Sequence, residues 1–88
     1  PEEGLFSREL VADQFNWISC EKPEGPMRVT AKPRYRAKEA AAVAEAQENG
    51  TVRIVFDEPQ RAITTGQAVV LYDGDIVVGG GTICGVYR

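Results

Sequence analysis

The chain has 88 residues, enough for one small domain built on one core. Its apolar share of 43% excludes a disordered polypeptide, and it has no apolar run of about eighteen residues and no signal-peptide pattern, so neither membrane insertion nor secretion is expected. The net charge is -3 and there is no His, which removes the commonest general base and leaves the two cysteines, Cys20 and Cys84, without the partner a nucleophilic thiol or a zinc site normally needs.

The first residue is Pro1, and the opening Pro-Glu-Glu-Gly reads as a cut made inside a longer protein, so residues 1–88 are expected to be a single excised domain. Leu5 to Ala12 mixes apolar and charged residues at strand length. Phe15, Trp17 and Ile18 form an aromatic knot, expected as a short helical turn near residues 14–18 that plugs a barrel end and packs into the core. Glu21 to Pro26 holds two prolines and a glycine and reads as a loop.

Met27 to Lys38 reads as a strand with two unlike faces. Its even positions carry Arg28, Thr30, Lys32, Arg34, Arg36 and Lys38, and its odd positions carry Met27, Val29, Ala31, Pro33, Tyr35 and Ala37. Successive strand side chains point to opposite faces, so one face is basic and the other largely apolar. The run holds five of the ten Lys and Arg and no acid. Same-face residues lie about 6–7 Å apart, comparable with phosphate spacing along a nucleic-acid strand. A stripe for an anion is one reading. The other is a solvated face paired with acids of adjacent strands such as Glu45 or Glu9. Tyr35 falls on the apolar face, where it packs, unless alternation fails at the strand end and frees it to stack on a base.

Residues 37–48 are ambiguous: Ala and Glu favour helix by propensity, while the alternating alanines suit a strand packed closely on one side. Asn49-Gly50 predicts a hairpin turn, since both residues tolerate positive φ, followed by a strand from Thr51 to Phe56. Asp57 to Gln67 reads as a connection, Ala68 to Tyr72 as an apolar strand, and Asp73-Gly74 as a second hairpin leading to Ile76–Val78. Gly79-Gly80-Gly81 interrupts that strand, which Thr82 to Tyr87 continues; a corner is the expected role, since no helix pattern or Lys-Ser/Thr step of a P-loop follows. Asp73 and Asp75 are turn residues rather than a metal or acid–base pair. Short strands separated by turns predict an all-β barrel or sandwich.

Three ordered blocks carry a family resemblance. Phe56-Asp-Glu-Pro-Gln-Arg-Ala-Ile-Thr-Thr-Gly-Gln-Ala-Val-Val-Leu-Tyr-Asp-Gly-Asp75 with Gly79–Gly81, Phe15-Asn-Trp-Ile18, and Thr30-Ala-Lys-Pro-Arg-Tyr-Arg36 together resemble the C-terminal domain of the tRNA-specific 2-thiouridylases, the MnmA/TrmU family. Two positions depart from it: Thr65 stands where Pro is usual, and Pro33 where an aliphatic residue is usual. The resemblance implies a small antiparallel six-stranded β-barrel like those of translation factors, and it turns the reading of residues 37–48 from helix to strand. It implies a cytoplasmic parent enzyme that uses ATP with Mg to adenylate the wobble uridine of tRNA and inserts sulfur supplied by a sulfur-carrier protein. The nucleotide loop and catalytic cysteines of that family belong to the upstream catalytic domain, so no catalytic residue, cofactor or metal is expected here, and Cys20 and Cys84 inherit no role. The expected partners are the anticodon arm of tRNA and the upstream domain, with no membrane. The family's tRNA-contact positions fall on Arg34, Tyr35 and Gln67, with Lys32 and Arg36 flanking them, and Arg28 is expected to be a bystander. The alternative is a structural barrel that braces the catalytic domain without touching RNA. Nothing resembles a methyl-donor site.

Overall fold

Inward–outward alternation persists through most of the chain, and it rolls the polypeptide into a closed barrel in the computed structural model, which describes residues 6–34 and 36–88. The strands are β1 (Phe6–Trp17), β2 (Met27–Lys32), β3 (Ala40–Ala46), β4 (Val52–Arg61), β5 (Ala68–Asp73) and β6 (Ile76–Tyr87). Every neighbouring pair is antiparallel, in the order β1-β4-β3-β2-β5-β6, and β6 closes on β1. Closure gives every strand a hydrogen-bonded neighbour on each side, with strand ends such as 57–61 of β4 and 84–87 of β6 paired on one side at most.

The Ala-rich segment is a strand because its neighbours need small residues. Ala42 and Ala44 point inward and are fully buried, in register with the inward Phe56 and Ile54 of β4. Small residues facing large ones fill a narrow barrel without overpacking, and this burial outweighs the helical preference of isolated alanine. Leu10, Val52, Val69, Leu71, Val78 and Ile83 complete the centre, with Val29 and Ala31 from β2.

Several sequence expectations are corrected. Residues 14–17 belong to β1 and form no helical turn; the chain is bulged there, with a register shift between Asp13 and Asn16 and Gln14 at φ 49. A bulge carries an extra residue while keeping the ladder, so the aromatic cluster stays on a strand. Phe15 and Trp17 pack against the core with ring centroids 4.5 Å apart, but Ile18 is exposed. The segment read as a connection from Asp57 is strand as far as Arg61, because Phe6 and Ser7 of β1 pair with Arg61 and Gln60. Leu5 lies outside the described residues.

The triple glycine lies within a continuous β6 rather than at a break. A Cβ on Gly79 would lie 2.5 Å from the Asn16 carbonyl oxygen, and one on Gly81 would lie 2.7 Å from that of Asp13. Close approach to the bulged β1 backbone is therefore what these positions serve. At the first hairpin only Gly50 has positive φ; the Asn49 side chain instead accepts a hydrogen bond from the Thr51 N–H at 3.1 Å. The second hairpin pairs Asp73 with Ile76 and puts Gly74, at φ 61, first in its two-residue loop, as a type II′ turn requires.

Candidate nucleic-acid interface

The basic run divides at Pro33. β2 is hydrogen-bonded on both sides, to β3 through Ala31↔Ala40 and to β5 through Lys32↔Val70. A residue without an N–H cannot extend such a two-sided ladder, so the strand stops at Lys32 rather than Lys38. Pro33 stays buried, and the chain turns beyond it, with the Ala37 N–H donating to the Arg34 carbonyl at 3.1 Å. Arg28, Thr30 and Lys32 thus share the outer face of β2, whereas Arg34, Arg36 and Lys38 belong to the turn and the residues after it.

That turn brings separate predictions together. Lys32, Arg34, Gln67, Ala68, Val70 and Tyr72 line a shallow groove of about 250 Å³ over the β2–β5 seam. Gln67 is held there by the Gly66-Gln67 step, which is pinned to β6: the Gly66 N–H donates to the Ile83 carbonyl and the Ile83 N–H to the Gln67 carbonyl, each at 2.8 Å. Three of the five candidate RNA-contact residues therefore converge. Arg36 is exposed and does not line the groove, and Tyr35 lies outside the described residues. Among the described residues Arg34 and Arg36 make no ion pair, so their charge is not neutralised by a neighbouring acid.

The rest of the stripe is differently occupied. Arg28 forms a two-pronged ion pair with Asp57, with Nη1 donating to Oδ1 at 2.7 Å and Nη2 to Oδ2. Hydrogen bonding to Arg28, more than its charge, holds the Asp57 carboxyl below the ordinary carboxylate range, and the same contact raises Arg28. The Thr30 hydroxyl donates to Glu39 at 2.6 Å. Neither Glu9 nor Glu45 is the partner of Arg28 or Thr30. Glu9 accepts two bonds from Arg53 at 2.8 and 3.0 Å, and Glu45 stands opposite Arg53 in the β3–β4 register. Strand order decides this, since β4 lies between β1 and β3 and Arg53 faces both.

Glu39, Asp57, Glu58 and Gln60 line a separate groove of about 350 Å³, bounded by Ala40 and Ala41. The outer surface therefore has a cationic groove on the β2–β5 side and an acidic one on the β3–β4 side, which would repel phosphate. Among the described residues no group of three His, Cys, Asp or Glu is arranged to hold a metal, and no helix is long and apolar enough to cross a membrane. Both cysteines are free thiols. Sequence reasoning missed Tyr72, Val70 and Ala68 as groove residues. Their signal was present: with Val69 and Leu71 inward, alternation puts 68, 70 and 72 on the outer face.

A family model described as the aminomethyltransferase beta-barrel domain matches residues 7–83, which include all of β2 to β5 and most of β1 and β6. The chain belongs to that family. It is also similar to curated proteins called tRNA-specific 2-thiouridylase MnmA. The protein of Acetivibrio thermocellus is 62% identical over 82 residues, which are 93% of this chain and 23% of that protein. The protein of Clostridioides difficile is 57% identical over 81 residues, 92% of this chain and 22% of that protein, and the one from Clostridium perfringens is 53% identical over 83 residues, 94% and 23%. The resemblance carried by the three motif blocks thus holds across nearly the whole chain. The chain spans less than a quarter of the length of these relatives.

Proposed function

We propose that this barrel is the C-terminal, tRNA-contacting accessory domain of an enzyme that forms 2-thiouridine at the wobble position. The supporting observation is the convergence of Lys32, Arg34 and Gln67 in one groove, two of them cations and all three expected from the motifs. Arg offers a planar fork for phosphate oxygens, Lys a point charge, and the Gln amide both a donor and an acceptor for a base or ribose edge. The domain's part is positional: it holds the RNA backbone while chemistry proceeds elsewhere. ATP with Mg, the sulfur-carrier protein and the catalytic cysteines would act on the remainder of the polypeptide, in the cytoplasm. Against a net charge of -3, one cationic groove gives weak binding by the isolated domain, in the range of about 10–100 μM.

The double variant Arg34→Ala, Arg36→Ala in the full-length protein tests this. Each lost phosphate contact weakens binding across tRNA sequences and makes the salt dependence shallower by about one unit of slope. The expected outcome is weaker tRNA binding with a slope reduced by about 1 to 2 and an unchanged melting profile. An affinity equal to that of the parent protein would remove the RNA role.

A second reading, a barrel that braces the catalytic domain, is favoured by one observation. Ile18, Ile76 and Val77 are 62%, 57% and 38% exposed where β1 ends and the β5–β6 hairpin begins its return. Clustered apolar residues in solvent mark an interaction surface, and the rest of a polypeptide about four times longer is the natural occupant.

A further inference from the structure

Tyr72 falls inside the Phe56–Asp75 motif block, yet neither the motif nor the cationic side chains give it a role. It is half-buried on the outer face of β5, opposite Thr30 of β2 and Val77 of β6. It lines the cationic groove with Lys32 and Arg34, and it also lines a second groove of about 230 Å³ with Arg28, Thr30, Ala41, Asp73 and Gly74. Tyr72 is the residue the two grooves share.

Their electrostatics differ. The first is bordered by Lys32 and Arg34. In the second, both carboxylate oxygens of Asp57 bind the guanidinium of Arg28, and the Asp73 carboxylate adds negative charge, so a phosphate gains nothing there. An uncharged planar group is not excluded. The Thr30 hydroxyl spends its proton on Glu39 and keeps lone pairs that can accept from a base N–H. A phosphate therefore fits on one side of the ring and a base on the other.

We infer that Tyr72 is the stacking platform for an unpaired nucleotide of the bound RNA, with the nucleotide's phosphate at Lys32 and Arg34 and its base laid over the ring toward Thr30. This rests on the RNA-binding reading above and adds the conformation of the RNA that is bound. A base inside a duplex has both faces covered by its neighbours, whereas a splayed base can present one to an aromatic ring. Gly74, two residues beyond Tyr72 at the hairpin, leaves open space on the side of the second groove.

The test is fluorescence anisotropy with a labelled tRNA transcript, titrated at several salt concentrations with the wild-type protein, Tyr72→Phe and Tyr72→Leu. Phe keeps the ring, so binding stays within about twofold. Leu keeps an apolar side chain but loses the π face, and binding weakens about 5- to 100-fold. Stacking carries no counterion, so the Leu variant keeps the wild-type salt slope, unlike Arg34→Ala, whose slope is shallower. Independently of any variant, the ring-proton resonances of Tyr72 in the wild-type protein should move upfield when the transcript is added. Wild-type binding with a Leu variant within twofold, or with static Tyr72 ring protons, overturns this inference alone. No salt-dependent binding by the wild-type protein overturns the RNA reading, and the inference with it.

Discussion

Asp57 and Arg28 are on strands that are not neighbours. β3 lies between β4 and β2, and Arg28 must reach across it. Ala41 and Val43 on the outer face of β3 are small enough to leave that path open, and Ala41 borders the grooves on both sides of the pair. The contact is exposed, so it adds little at neutral pH and is screened by salt. Its signature is pH dependence. Folding holds the Asp57 carboxyl below its ordinary value through the hydrogen bonds from Arg28. A group whose pKa is depressed by folding stabilises the native state above its unfolded pKa, and that contribution fades as pH falls through the folded value. The window therefore opens at about pH 4 and extends downward. Asp57→Asn should flatten the acid limb of stability relative to the wild type, measured as urea midpoints between about pH 5 and 2. Parallel curves for the two proteins would show that the pair does not contribute in solution. Arg28 was read from the sequence as a bystander to RNA, and its pairing with Asp57 could not be read there: pairing across an intervening strand depends on strand order, which no spacing along the chain encodes.

At the scale of elements, alternation was readable wherever a strand is regular. The outer positions Arg28, Thr30 and Lys32 and the inner positions Val29 and Ala31 of β2 fall where period two puts them. It failed where the chain is irregular. The bulge at Gln14 hides in a segment with no glycine, so Phe15 and Trp17 resembled a helical turn. The Ala-rich β3 was decided by packing against partners across the hairpin, Phe56 and Ile54, and became readable only through the family motifs. The glycines opposite the bulge were visible, but their reason was not, because the strand they approach lies some sixty residues earlier. That contact gives a sharp contrast in stability. In Gly79→Ala the new methyl meets the backbone oxygen of Asn16, which cannot swing aside as a side-chain tip could, so β1 and β6 must separate. Overpacking of this kind costs about 1–3 kcal/mol. Gly25→Ala meets nothing within 4 Å and should leave stability unchanged or raise it by up to about 1 kcal/mol. Urea unfolding of the two variants checks this, and equal midpoints would mean that the β1–β6 approach relaxes freely.

Across the whole molecule, closure gives each strand two neighbours and leaves the barrel's outer surface as its main means of interaction. The cationic groove and the apolar end adjoin, since Tyr72 of the groove stands opposite Val77 of the end. The seam proposed to contact RNA and the end proposed to brace a neighbour are therefore adjoining surfaces of one barrel. The two roles are separable by experiment. Ile18→Ser with Ile76→Ser removes apolar side chains that are more than half exposed, so in the isolated chain it should shift stability by at most about 0.5 kcal/mol. In the full-length protein the same change should uncouple the barrel from its neighbour. A single cooperative thermal transition would then split in two, with the barrel melting at the temperature it shows alone, because domains that share a large apolar interface unfold together and those that do not unfold separately. Retention of the single transition in the double variant would remove the bracing role from this end, leaving the groove as the surface through which the barrel acts.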